Sequence, residues 1–222
     1  DAVVVGFIGA GNYASRALIP AFKKSGVKLH TVATSSGLSG SIHGGKSGFE
    51  YSSTDVDKVI NSEGIDIITI ATRHDSHSDL VCKGLQAGKS VFVEKPLAID
   101  AEGLEAIKNA YLKLKNNPKL VNNSHLMVGF NRRYSPHITK MKSLLSKVAE
   151  PKSFIMTMNA GHIPPSHWVH ASEVGGGRII GEACHYIDLM RFLVGSKIVD
   201  VQARCTGQSI SGKVNDDNAV IT

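Results

Sequence analysis

The six residues Gly9-Ala10-Gly11-Asn12-Tyr13-Ala14 constrain the fold of this chain more than any other feature. They follow the apolar run VVVGFI (3–8), which reads as a buried strand. They open the stretch NYASRALIPAFKKSG, where Ala14, Leu18, Ile19 and Phe22 recur at helical spacing and Gly26 is a plausible C-terminal cap. Pro20 is an irregularity inside that helix and is expected to kink it. A G-x-G-x-x-A string between a strand and a helix has the spacing of a dinucleotide phosphate loop. Gly9 permits the tight turn, Gly11 leaves the backbone bare for a pyrophosphate, and Ala14 lets the helix pack on the strand. The helix start, at Asn12 and Tyr13, turns its N–H groups and positive dipole end to the phosphates. The alternative is an ordinary tight strand–helix turn. Such a loop also calls for an acid about 20 residues on, to hold a ribose hydroxyl. That place reads Ala33-Thr34-Ser35-Ser36. The hydroxyls of Thr34 and Ser35 can serve either ribose, so NAD and NADP both stay open, with a lean toward tolerating NADP.

The rest of the chain continues the alternation. KLHTVAT (28–34), IDIITIAT (65–72), SVFVEKP (90–96) and HLMVGF (125–130) read as strands. SHSDLVCKGLQAG (76–88), with serine at its start and glycine at its end, and AEGLEAIKNAYLKLKN (101–116) read as helices. Alternating strands and helices predict a doubly wound parallel sheet. The character then changes, to a helix near 135–148, a strand pattern in KSFIMTMNA (152–160), a Pro/His/Gly-rich loop over 161–177, a helix over 178–194 and two more strand patterns. The expected fold class is α/β, a Rossmann-type domain over 1–121 followed by a partial α+β domain over 122–222. The chain starts at Asp1 without methionine and stops in DDNAVIT, which reads as a strand just beginning, so a piece of something longer is expected.

Composition excludes several classes. Charged residues make up 20% and apolar ones 42%, ordinary for a globular protein. No run of about 18 apolar residues exists, so no membrane span is predicted. Cys82, Cys184 and Cys205 form no C-x-x-C pair, which argues against a zinc site or disulfide framework and for reduced thiols in the cytoplasm. The net charge of +6 is spread along the chain, suits a phosphate-bearing small ligand equally well, and with no basic run beyond pairs such as Lys23-Lys24 and Arg132-Arg133 argues against nucleic acid. GSIHGGKS (40–47) matches the P-loop pattern, yet it neither follows a buried strand nor opens a clear helix, and GFEYSST after it reads as an exit turn. It is expected to form a short, weak helix capped by Gly48, with Lys46 at most a remote candidate for a 2′-phosphate.

Glu94-Lys95-Pro96 after its strand resembles the signature of the glucose–fructose oxidoreductase / inositol dehydrogenase (Gfo/Idh/MocA) family. IDIITIATRHDSHSDLVCKGLQAGKSVFVEKPLA, VGFNRRYSP and HWVHASEVGGGRIIGEACHYIDLMRFLVG extend the likeness across the chain in the same order. GRIIGEACHYIDL looks most like the branch fused behind an alcohol-dehydrogenase-like domain. The resemblance implies a Rossmann domain followed by an open, mainly antiparallel sheet that lacks its last strands here, and a possible homo-oligomer through that sheet. It implies an NAD(P)-dependent oxidoreductase acting on a secondary alcohol of a sugar, sugar derivative or sugar nucleotide.

By that resemblance Lys95 is the positive donor at the substrate oxygen and His185 the acid/base, with a cis bond before Pro96. A solvated strand-end lysine and a buried structural histidine are the plain alternatives. Thr72, Arg73, His74, His77, Glu94 and Lys95 are cofactor-side candidates. Asn131, Arg133, Trp168 and His185 are substrate-side candidates, with interface packing as the alternative. Many family members carry aspartate four residues before this histidine, where this chain has Gly181. Glu182, three before His185, would share its face on an α-helix and is the proposed substitute. Cys184 is expected in the core and Asp188 in a structural role. That departure keeps alive a non-catalytic dinucleotide/sugar-binding regulator, and a cofactor-retaining glycoside hydrolase is a further rival.

Overall fold

A computed structural model describes residues 2–35, 47–118, 120, 124–206 and 218–222. The chain divides into two compact units, Asp1–Gly129 and Phe130–Thr222.

The first unit is a six-stranded parallel sheet. Its strands are β1 (Val4–Ile8), β2 (Lys28–Ala33), β3 (Tyr51–Ser53), β4 (Ile67–Ile70), β5 (Ser90–Val93) and β6 (Leu126–Val128), in the spatial order β3-β2-β1-β4-β5-β6. Its helices are α1 (Ile19–Lys24), α2 (Val56–Ile60), α3 (His77–Gln86) and α4 (Ala101–Lys115). The strands are apolar on both faces because helices cover both. Val5, Phe7, Val32, Ile68, Ile70 and Val93 are fully buried. One core packs Ile8, Ile68 and Val91 with Leu85, Ile107 and Leu114 of α3 and α4. The other packs Phe7 edge-on against Phe22 and Phe49. Strand order reverses between β1 and β4, which makes their carboxyl ends the place where sheets of this type bind ligands.

Several expectations change. Leu126–Val128 pairs with Val91–Val93, so the first unit runs past residue 121 to Gly129. The supposed exit turn after GSIHGGKS contains β3, a short edge strand whose three residues show no apolar alternation to mark it. The five-residue α2 was not legible either; Asp55 caps it by accepting the Asp57 N–H. Pro20 breaks no helix. A π-helical turn, Ala14–Leu18, precedes it and places Pro20 in the first turn of α1, where an imino nitrogen costs no hydrogen bond. Residues 40–46 of GSIHGGKS, Lys46 included, lie outside the described residues, and Gly48 has a φ of +86°.

The second unit holds α5 (Pro136–Leu145), α6 (Cys184–Val194) and a two-stranded antiparallel sheet of β7 (Ala203–Cys205) and β8 (Ala219–Ile221). KSFIMTMNA is not a strand: residues 152–160 keep an alternating burial pattern, yet pair with no strand among the described residues. Alternation sets which side chains face inward, whereas a ladder needs a partner backbone. No described helix is long and apolar enough to cross a membrane.

Candidate functional site

The carboxyl edge of the parallel sheet is levelled by one repeated hydrogen bond. The first residue past each strand donates its N–H to the last carbonyl of the neighbouring strand. Thr34 donates to Ser53, Gly9 to Ala33, Ala71 to Ile8, Glu94 to Ile70 and Gly129 to Val93, at 2.8–3.0 Å. Five loops therefore begin on one line, and they carry Gly9–Ala14, Thr34-Ser35, Thr72–His74 and Glu94-Lys95.

Gly9 sits at the switch point with φ +95°, a conformation that L side chains rarely adopt. A Cβ there would lie 2.4 Å from the Ala71 carbonyl oxygen, so the β1 and β4 loops touch through the missing side chain. Gly11 is the opposite case. It is exposed, and a Cβ on it would meet nothing within 4 Å among the described residues. The space in front of it is open, as a pyrophosphate approaching the backbone requires. Asn12 and Tyr13 are exposed and Ala14 is buried, so Ala14 anchors this end of the helix. These residues fit a dinucleotide. The hydroxyls of Thr34 and Ser35 stand at the end of β2, and no carboxylate is placed at either position.

At the end of β5, Lys95 is half-buried and the Lys95–Pro96 peptide is cis. Burial pushes the Glu94 carboxyl above the ordinary carboxylate range, against the opposing pull of the Lys95 charge. Its Oε1 is enclosed without a hydrogen-bond partner, and a Cβ on Gly129 would come within 2.8 Å of it. Gly129 thus makes room for Glu94, a requirement that no sequence signal announced.

His77, expected on the cofactor side at the helix start, is enclosed by protein. It is 0% exposed. Its Nδ1 lies 2.7 Å from the Pro96 carbonyl oxygen and its Nε2 3.3 Å from that of Thr72. Ser76 does not cap α3 with its side chain; its Oγ lies 2.6 Å from Thr72 Oγ1 and donates to the Arg73 carbonyl. Arg73 is exposed, whereas His74 is buried with its ring 5.8 Å from that of His77.

In the second unit, His185 is buried on the first turn of α6, its ring edge-on to Phe130 at 6.2 Å. Glu182 stands outside α6, in a π-helical turn Ile179–Ala183. The three-residue spacing that proposed Glu182 as the partner of His185 assumes an α-helix, whereas this turn winds i→i+5. Gly181 is buried in the same turn. Arg133 is engaged within its own unit: its guanidinium makes a two-pronged ion pair with the buried Asp188, Nε donating to Oδ2 at 2.6 Å and the second nitrogen to Oδ1, and it lies over the Phe192 ring. The same carboxylate holds the guanidinium above its ordinary pKa. This arginine fastens the turn Asn131–Tyr134 to α6. Asn131 is exposed at the start of that turn, and Trp168 is half-buried at the start of a one-turn helix, its ring 5.6 Å from His167. Cys184 is only half-buried, and all three cysteines are free thiols. Among the described residues no group of His, Cys, Asp and Glu could hold a metal ion.

Comparison with known proteins gives a consistent picture. Residues 3–121 match the model of the "Oxidoreductase family, NAD-binding Rossmann fold", and residues 140–222 match the "GFO/IDH/MocA C-terminal domain". Inositol 2-dehydrogenase of Rhizobium meliloti (strain 1021) is 33% identical over 150 residues, 67% of this chain and 42% of that protein. The scyllo-inositol 2-dehydrogenase (NAD(+)) of Bacillus subtilis (strain 168) is 32% identical over 159 residues, again 42% of its length. A solved levoglucosan dehydrogenase in complex with NADH shares the fold, with a TM-score of 0.79 at 23% identity over 100% of this chain and 63% of that one. The chain thus spans less than two thirds of the relatives it matches.

Proposed function

Because the chain belongs to the GFO/IDH/MocA oxidoreductase family, we propose that it lays a nicotinamide dinucleotide along the carboxyl edge of its parallel sheet. The protein of which it forms part would move a hydride between that cofactor and a secondary alcohol of a sugar, sugar derivative or sugar nucleotide. The observation that carries the reading is the contrast at the first loop: Gly9 is closed against Ala71, while Gly11 opens on empty space. The pyrophosphate would lie over Gly11 and the helix start at Asn12, with the adenosine ribose at Thr34 and Ser35. With no carboxylate at Thr34 or Ser35 to repel a 2′-phosphate, NADP is admitted beside NAD.

When bound, the nicotinamide accepts or returns the hydride. The chain's part is to hold the alcohol and move its proton. Lys95 is the proposed donor to the reacting oxygen, held half-buried just past β5 by the Glu94 N–H bond to Ile70 and by buried Pro96. His185 is the proposed acid/base. Glu182, in the π-helical turn before α6, is its proposed relay partner, with a shorter relay as the alternative.

The test is a fluorescence titration with NADH and NADPH, followed by absorbance at 340 nm against a polyol and sugar panel in the full-length protein. Binding, turnover and a fall of about 100-fold or more in kcat for Lys95→Ala support the reading. Absence of binding by either dinucleotide would sink it. Binding without turnover on any alcohol favours the regulator instead, the reading that buried Gly181 supports by standing where a carboxylate would complete the relay.

A further inference from the structure

We propose that His77 is a positioning residue: its buried imidazole ties the loop after β4 to the loop after β5, and that tie sets the width of the dinucleotide crevice. The proposal rests on the dinucleotide reading above and deepens it. β4 and β5 are neighbours whose carboxyl ends give rise to Thr72–Ser76 and Glu94-Lys95-Pro96. The sheet ladder fixes these loops only as far as the Glu94 N–H bond to Ile70. Beyond that level the described cross-link is His77. It reaches one way to Pro96 O at 2.7 Å, a separation of 19 residues, and the other way to Thr72 O at 3.3 Å.

Both neighbours are carbonyl oxygens, which only accept. A neutral ring has one N–H, and the shorter distance assigns it to Nδ1, donating to Pro96. Burial favours that neutral form by lowering the pKa, while the two carbonyls and Asp75 pull the other way and Lys95 adds to the lowering. Thr72 is held by a second device, its Oγ1 at 2.6 Å from Ser76 Oγ, one residue before His77. The imidazole is 0% exposed, so it influences a ligand only through the backbone it grips. Pro96 is the residue after Lys95, so the Nδ1 bond also sets where the lysine's backbone stands.

Three forms of the 222-residue chain test this: wild type, His77→Leu and His77→Asn. The asparagine amide nitrogen can occupy the place of Nδ1 and donate to Pro96 O, while leucine fills space without donating. NADH dissociation constants are measured at a temperature where all three give the same folded far-UV and near-UV circular dichroism. His77→Leu is expected to bind about tenfold more weakly, and His77→Asn to stay within about threefold of wild type. Hydrogen exchange is expected to quicken in the amides of 72–76 and 97–98 in the leucine variant alone. Equal affinity of His77→Leu and wild type, or equal loss in both variants, overturns the proposal. Should wild type bind no dinucleotide, the functional reading falls by itself. The exchange data then decide the tie: faster exchange confined to those two segments in His77→Leu supports it, and unchanged exchange overturns it.

Discussion

Replacing each of the two glycines of the first loop with alanine separates what the fold needs from what the ligand needs. In Gly9→Ala, the new Cβ would stand 2.4 Å from Ala71 O and 2.7 Å from Ala71 C, both backbone atoms. The backbone must leave φ +95°, a region costing an L residue about 1–2 kcal/mol. To clear the overlap, the β1 and β4 loops must part, which strains the Gly9–Ala33 and Ala71–Ile8 hydrogen bonds, each worth about 1 kcal/mol. The sum is about 3–4 kcal/mol. Gly11→Ala meets nothing within 4 Å and should change stability by less than about 0.5 kcal/mol. The same methyl would stand in the path proposed for the pyrophosphate, so NADH affinity should fall at least tenfold. Urea unfolding followed by circular dichroism, with NADH titration of each folded variant, reads both effects. Equal destabilisation by the two substitutions, or undiminished NADH binding by Gly11→Ala, would refute the reasoning.

Arg133→Ala strands the buried Asp188 carboxylate and should destabilise the second unit by about 2–3 kcal/mol, a figure reduced because the arginine side chain is 29% exposed, with urea midpoints as the check. Glu94, whose pKa the fold raises, costs stability once the pH passes the ordinary carboxylate range, because the unfolded chain then ionises first. Glu94→Gln should therefore stabilise more at pH 7 than at pH 4, measured as unfolding free energies at the two values. His77 has the opposite linkage. Its folded pKa lies below its ordinary 6.5, so stability is full above that value and is lost as the pH falls and the unfolded chain takes up the proton first. His77→Asn should flatten the slope of stability against pH between about 6.5 and 5.

Period and punctuation made much of the first unit legible. The runs at Val4–Ile8, Ile67–Ile70 and Ser90–Val93 are apolar because both sheet faces are covered, and that property is written in consecutive residues. Gly9 and Gly11 were legible because turn geometry and ligand approach each demand an absent side chain at a fixed spacing. The edge strand Tyr51–Ser53 escaped because one neighbour and three residues leave no pattern. The strand expected over 152–160 failed for the complementary reason: its alternation is real, but pairing depends on a distant backbone.

The sequence by itself determined the parallel sheet, the glycine turn between its first strand and helix, and the family, since each follows from local spacing and order along the chain. Tertiary structure alone decided which polar residues are spent inside the protein. Arg133 looked available until Asp188, 55 residues away, took its guanidinium. His77 looked like a ligand-facing helix start until the Pro96 carbonyl enclosed it. Glu182 was read onto the α-helix of His185, whereas a π-helical turn carries it. A side chain's chemistry is fixed by its type, but its availability depends on partners and burial, which spacing along the chain does not encode.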